Sequence, residues 1–199
     1  MNPTQQLPLA AVVTHQVEDF TKWKPYFDAH QGARQEAGIY AHCLNRFMPN
    51  DDTICAYFLA KDRDKLEAFF AAPGLASAMK EAGVNGPPSI SFVRQVEDKT
   101  RWDRPLAAAI VIHDVADYES WKQAFDEHAA ERQRAGITAY AVNRNEEQPN
   151  QIVAFLQAED EKMLHTFFEA PELQQAMQAA GVLNPPNVMF LQSLERVDY

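Results

Sequence analysis

His15 and His113 stand 98 residues apart in matching runs of largely apolar residues, AAVVTHQV and AAIVIHDV. A neutral imidazole, with a reference pKa of about 6.5, can both accept and donate a hydrogen bond. Turned into a barrel lumen, each could take a phenolic proton from a substrate and leave an electron-rich anion that reacts with dioxygen. The alternative is a strand histidine that bonds a backbone carbonyl and fills space. A second pair lies at helical spacing, His30 with Arg34 and His128 with Arg132. There the arginines could bind a substrate carboxylate or enolate at a barrel mouth with the histidines as acid/base partners. They could equally be cations favoured by a helix C-terminus, an effect of about 0.3–1 kcal/mol. A third group, Tyr40, His42, Arg46 and Tyr57 with Tyr140 and Arg144, could line a substrate cavity, although Asn45-Arg46 and Asn143-Arg144 also fit a turn-capping Asn and an exposed Arg. Metal is not expected, because His15 and His30 lack a third ligand at a recognisable spacing. There is no Gly-rich phosphate loop, nucleophile elbow or Cys-x-x-Cys.

These residues recur because the chain is written twice. A gapless shift of 98 residues pairs 10–97 with 108–195, and 38 of the 88 pairs are identical. The chain therefore divides into repeat 1 (9–97), a charged linker DKTRWDRP (98–105) and repeat 2 (106–199). The β-branched runs at 10–17 and 108–115 read as first strands. Asp19 and Asp117 are placed as helix N-caps, and Phe20, Trp23, Phe27, His30 and Arg34 then form one stripe of a helix that Gly38 ends. Tyr118, Trp121, Phe125, His128, Arg132 and Gly136 repeat it.

A hairpin follows, 39–47 with 53–60 and 137–144 with 151–158. Its alternation predicts Ile39, Ala41, Cys43, Ile54, Ala56 and Phe58 under the helices, with Tyr40, His42, Leu44, Arg46 and Tyr57 on the other face. A second helix from Asp62 or Asp160 must break at Pro73 or Pro171. Final strands at 89–97 and 187–195 complete each unit. Strand, helix, two strands, helix, strand is the ferredoxin-like βαββαβ order. The expected fold class is α+β, two tandem ferredoxin-like repeats forming an intrachain pseudo-dimeric α/β barrel.

The net charge of -10 is carried unevenly: repeat 1 has 9 basic and 11 acidic residues, repeat 2 has 6 and 15. With no basic cluster, nucleic acid and anionic membrane are not expected as partners. The N-terminal stretch lacks the basic region and apolar core of a signal peptide, which predicts a cytoplasmic protein. Cys43 and Cys55 face Ala141 and Val153 in the other copy, so buried free thiols are expected rather than a disulfide framework.

The pattern His-x-Val-x-Asp-aromatic-x-x-Trp-Lys-x-x-Phe-Asp-x-His-x-x-x-Arg-x-x-Ala-Gly, followed by Phe-Phe-x-Ala-Pro-x-Leu-x-x-Ala-Met-x-x-Ala-Gly-Val, resembles the dimeric α/β barrel superfamily. Within it, the chain is similar to small antibiotic-biosynthesis-monooxygenase-like or "cyclase"-like proteins. The resemblance implies one of three things: cofactor-independent oxidation of quinols or anthrones, heme degradation, or a protein without known reaction. The heme degraders carry Asn where this chain has His15 and His113. They also carry a Trp and a proximal His in the region of Phe69, Phe70 and Met79, or Phe167, Phe168 and Met177, so no cofactor is expected.

The reading, carried mainly by this resemblance, is a cofactor-independent monooxygenase or related enzyme acting on a hydroxylated aromatic or polyketide-like molecule. His15, His113, His30 and His128 would be catalytic, and Arg34, Arg132, Tyr40, His42, Arg46, Tyr57, Tyr140 and Arg144 would bind substrate. The alternative is a non-catalytic or stress-type barrel that binds a small hydrophobic or aromatic ligand. Either would be a monomeric pseudo-dimer or a homodimer.

Overall fold

The computed structural model describes residues 7–49 and 52–199. The hairpin loop expected at 48–52 therefore lies partly outside the described residues. The strands are β1 (Leu9–Val17), β2 (Ile39–Phe47), β3 (Thr53–Ala60), β4 (Val84–Asp98), β5 (Ala107–Asp114), β6 (Ala139–Asn145), β7 (Gln151–Ala158) and β8 (Asn187–Asp198). The helices are α1 (Phe20–Ala29), α2 (Gln31–Glu36), α3 (Arg63–Ala71), α4 (Pro73–Glu81), α5 (Tyr118–Glu127), α6 (Ala129–Arg134), α7 (Glu161–Glu169) and α8 (Pro171–Ala179). The hydrogen-bonded strand order β1-β3-β2-β8-β5-β7-β6-β4 closes on itself, so the fold class is the expected one. None of the described helices is long and apolar enough to cross a membrane.

By contact the chain forms two compact units, one of residues up to Val93 with Leu194–Tyr199, the other Arg94–Ser193. We call them unit 1 and unit 2. Each is one sequence repeat with its last strand end replaced by that of the other repeat. Glu195 and Tyr199 thereby belong to unit 1, and Glu97 and Lys99 to unit 2.

Local chemistry sets the helix ends. Asp19 accepts from the amides of Thr21 (2.6 Å) and Lys22, and Asp117 from that of Ser120 (2.8 Å). Gly38 and Gly136 take φ of 78° and 85°, where a Cβ would be strained. Pro73 and Pro171 open new helices at the first turn, the position where a missing N–H costs least. The single helix expected over 20–37 is two, broken at His30, and α5 and α6 break alike at His128. The break leaves the Phe27 carbonyl to accept from Arg34 Nη1 (2.5 Å), and the Phe125 carbonyl to accept from Arg132 Nη1.

The sheet faces also differ from expectation. In the hairpin Cys43 pairs with Tyr57, Leu44 with Ala56 and His42 with Phe58. Directly opposed residues share a face. His42, Leu44 and Arg46 therefore lie with Ile54, Ala56 and Phe58, while Ala41, Cys43 and Tyr57 take the opposite face. A register shift between Ile39 and Ala41 returns Ile39 to the core of Leu9, Val13, Leu44, Ile54, Phe58 and Leu66 under the helices. Tyr40 sits at that shift, which period-two alternation does not anticipate. Cys43 and Cys55 are buried and in no disulfide, and burial raises Cys55 to about 12.

Candidate functional site

On β1, His15 is paired with Ile54, and on β5 His113 is paired with Ile152, both residues of the cores beneath the helices. The histidines thus point toward the helices rather than to the opposite face. Each stands 5.4 Å, ring centre to ring centre, from a helix tryptophan, Trp23 or Trp121. Neither reading left open by the sequence therefore holds: the histidines do not turn into a barrel lumen, and neither bonds a carbonyl. Both nitrogens of both imidazoles are buried without a hydrogen-bond partner among the described residues. Burial lowers each pKa to about 4, so both rings are neutral at pH 7. An unsatisfied buried polar group costs about 1–3 kcal/mol, and here the cost recurs at the same place in each unit.

The histidines do not face solid protein. Each lines a cavity of about 80 Å³ between sheet and helices. In unit 1 the walls include Trp23, Phe27, Phe69, Phe70 and Met79; in unit 2 they are Trp121, Phe125, Phe167, Phe168 and Met177. His30 and Arg34 line the first cavity, His128 and Arg132 the second. These are apolar pockets with a few convergent polar groups, the usual composition of a small-molecule site. In unit 2 a wider groove of about 590 Å³ adjoins the cavity, sharing His128, Glu131, Phe167 and Leu173 with it.

Arg34 and Arg132 are not at an exposed helix end. They are 3% and 4% exposed, and their guanidinium groups lie 3.9 and 3.6 Å from the ring centres of Phe27 and Phe125. Burial favours loss of the Arg132 charge, which neighbouring acids and Tyr140 offset in part. In unit 1 a relay runs from Arg34. Its Nε donates to the Tyr199 hydroxyl (2.5 Å), which lies 2.7 Å from His42 Nδ1. His42 Nε2 is 3.2 Å from Glu195, and Lys24 bridges Glu195 (3.1 Å) and Asp28 (2.6 Å). Because a carboxylate only accepts, His42 in its neutral form donates through Nε2 and accepts from Tyr199 through Nδ1. Burial pulls the His42 pKa down despite Glu195.

Unit 2 has Tyr140 in the place of His42. Its hydroxyl accepts from Lys99 Nζ (2.9 Å) and donates to Glu97 (3.1 Å), which pairs with Lys122 (3.3 Å). Tyr140 stands beside Arg132, its ring centre 5.2 Å from the guanidinium, and helps to hold its charge, while Arg132 Nη2 is buried without a partner among the described residues.

The other candidates lie elsewhere. Arg46 stacks on Phe20 at 4.5 Å and Arg144 on Tyr118 at 3.9 Å, with Arg144 Nε donating to the Pro149 carbonyl. Neither lines the cavities. Tyr57 is on the opposite sheet face and Tyr40 at the register shift. His30 Nδ1 is 2.8 Å from the Tyr26 carbonyl, which fixes it as the protonated nitrogen. Sequence reasoning missed Tyr199, Glu195, Glu97 and Lys99; the recurrence of Glu97 as Glu195 under the 98-residue shift was the available signal.

No protein-family model matches the chain, and no curated protein is similar to it in sequence. Solved structures are similar in fold. The chain has the fold of antibiotic-biosynthesis-monooxygenase-like dimeric α/β barrel proteins, with single neighbouring chains spanning nearly all of it. Among them is an anthrone oxidase-like protein, 11% identical with a TM-score of 0.65, the match covering 98% of this chain and 94% of that one. A Listeria monocytogenes ferredoxin-fold protein related to antibiotic biosynthesis monooxygenases is 8% identical, TM-score 0.57, covering 98% and 99%. A monooxygenase-like protein from Listeria innocua is 10% identical, TM-score 0.55, covering 96% of each chain.

Proposed function

We propose that the cavities bind small hydroxylated aromatic or polyketide-like molecules and that the protein oxidises them with dioxygen, without a cofactor. The carrying observation is the pair of buried, unpartnered, neutral imidazoles, His15 and His113, each facing an aromatic-walled cavity. A ligand hydroxyl would donate to one imidazole nitrogen and relieve the unmet hydrogen bond. A group with a pKa near 4 is a poor base in the empty cavity. A substrate anion beside it reverses this, since an opposite charge favours imidazolium where solvent is excluded. For a ring CH2 oxidised to C=O, one oxygen atom of O2 enters the product and the other leaves as water with the two hydrogens. No external reductant is then needed.

The test is oxygen uptake with a panel of anthrones and quinols, comparing the wild type with the His15→Ala/His113→Ala protein. The proposal expects turnover that falls by about 10²–10⁴-fold in the variant, the range of general acid–base catalysis. Unchanged turnover would remove the histidines from the mechanism. A second reading, ligand binding without turnover, is favoured by the low pKa itself. Ligand binding with no oxygen consumption across the panel would decide for it.

A further inference from the structure

We infer that the cavity of unit 2 and the groove adjoining it form one bipartite site for an aromatic molecule that carries a sugar-like, uncharged polyhydroxy substituent. The hydroxylated ring lies in the cavity against His113, and the substituent lies in the groove beside α7. The inference rests on the reading of the cavities as ligand sites and adds what the ligand carries and where that part is received.

Three observations carry it. The first is size. Small-molecule sites usually enclose about 300–1,000 Å³. The cavity, at about 80 Å³, has room for a ring but not for the rest of a polyketide-like molecule, and the groove of about 590 Å³ brings the space into that range. The second is continuity: His128, Glu131, Phe167 and Leu173 line both spaces, so a substituent leaving the cavity passes directly into the groove. The third is composition. Part of the groove is apolar, with Met163 against Gly136, where a Cβ would stand 2.6 Å from the methionine sulfur. Around it stand Glu131, Asp160 and Glu172 together with Arg134 and Lys162, and this mixture of signs favours neither an anionic nor a cationic occupant. Glu131 is paired with Arg134 (2.6 Å), and Asp160 accepts from the Met163 amide (2.9 Å). The side chains of Lys162, Thr166 and Glu172 make no hydrogen bond or ion pair among the described residues. A carboxylate that accepts, an ammonium that donates and a hydroxyl that does both, set beside an apolar surface, match the hydroxyls and the C–H face of a polyol ring.

The test is NMR of the full chain labelled with 13C at the methionine methyls, since Met177 lines the cavity and Met163 the groove. The probes are hydroquinone and its glucoside, 4-hydroxyphenyl β-glucopyranoside. Hydroquinone should move the Met177 signal and leave Met163 in place, whereas the glucoside should move both together and bind about tenfold or more tightly, the gain of one or two hydrogen bonds. Thr166→Trp, at an exposed helix position, should fill the groove and abolish that advantage while changing hydroquinone binding by less than about 3-fold. Retained hydroquinone binding also reports that the variant is folded. A glucoside that binds no tighter than hydroquinone, that moves Met163 without Met177, or that is indifferent to Thr166→Trp would overturn the inference and leave the ligand-site reading intact. So would tighter binding of tyramine, whose substituent is a cation. Failure of every probe to move Met177 or its unit 1 counterpart Met79 would overturn both.

Discussion

Arg34 and Arg132 occupy the same place in the two repeats, are almost equally buried, and both turn Nη1 onto the carbonyl of a phenylalanine seven residues earlier. Their surroundings differ. In unit 1 Tyr199 and His42 complete a relay from Arg34 to Glu195 and Lys24, whereas in unit 2 Tyr140 stands beside Arg132 and turns to Glu97 and Lys99, with Arg132 Nη2 buried and without a partner among the described residues. One substitution in the duplicated hairpin, His42 against Tyr140, accompanies the change together with the strand ends that meet it. The histidines His15 and His113 have not diverged in this way, both being without a partner among the described residues and both lowered in pKa to about 4 by burial. Within one fold, shared features fix the cavity floor and divergent ones the groups around it.

The largest expected effects test what the units share. Trp23 and Trp121 are each 4% exposed and pack against the histidines. Trp23→Ala and Trp121→Ala should each cost about 3–5 kcal/mol in denaturant unfolding, and a large inequality between them would break the equivalence of the two floors. Next come the histidines. Their pKa is lowered from 6.5 to about 4, so the unfolded chain takes up protons that the native one refuses as pH falls through this interval. Stability should therefore drop between pH 6.5 and pH 4, by about 3 kcal/mol for each histidine. His15→Phe and His113→Phe should each remove about half of that drop when unfolding is measured against pH.

The guanidinium groups separate the units. Arg34→Met removes the donor to the Tyr199 hydroxyl and the head of the relay to His42, while Arg132→Met removes a buried charge that has no ion-pair partner among the described residues. The first should cost about 1–3 kcal/mol more than the second by chemical denaturation, and equal costs would contradict the difference in their surroundings. The smallest effect should be that of Tyr199→Phe, about 1–2 kcal/mol in the same assay from the lost hydroxyl bonds.

The repeat, the βαββαβ order, the aspartate caps and the proline breaks were legible because each is local: a residue and its neighbours within a few positions decide it. His15, His30 and Arg34 with their copies stood out by type and recurrence, but the sequence placed them in a barrel lumen and at a barrel mouth, not in the cavities under the helices that they line. The hairpin faces were not legible, because a register shift at Tyr40 decides which parity faces the helices, and alternation along a single strand cannot reveal the pairing of two. Nor were Tyr199 and Glu195, which reach Arg34 and His42 from more than 150 positions away in the chain. The break at His30 also escaped the helical stripe, since the stripe persists across it and the freed carbonyl is met by a side chain from the next helix.

The central claim is that His15 and His113 are neutral, unpartnered groups at the floor of ligand cavities, and NMR titration of the imidazole resonances tests it most directly. Two of the six histidines should titrate near pH 4 in the free protein, and both should shift when a hydroxylated aromatic is added. Titration of both near 6.5, with no response to ligand, would contradict the account.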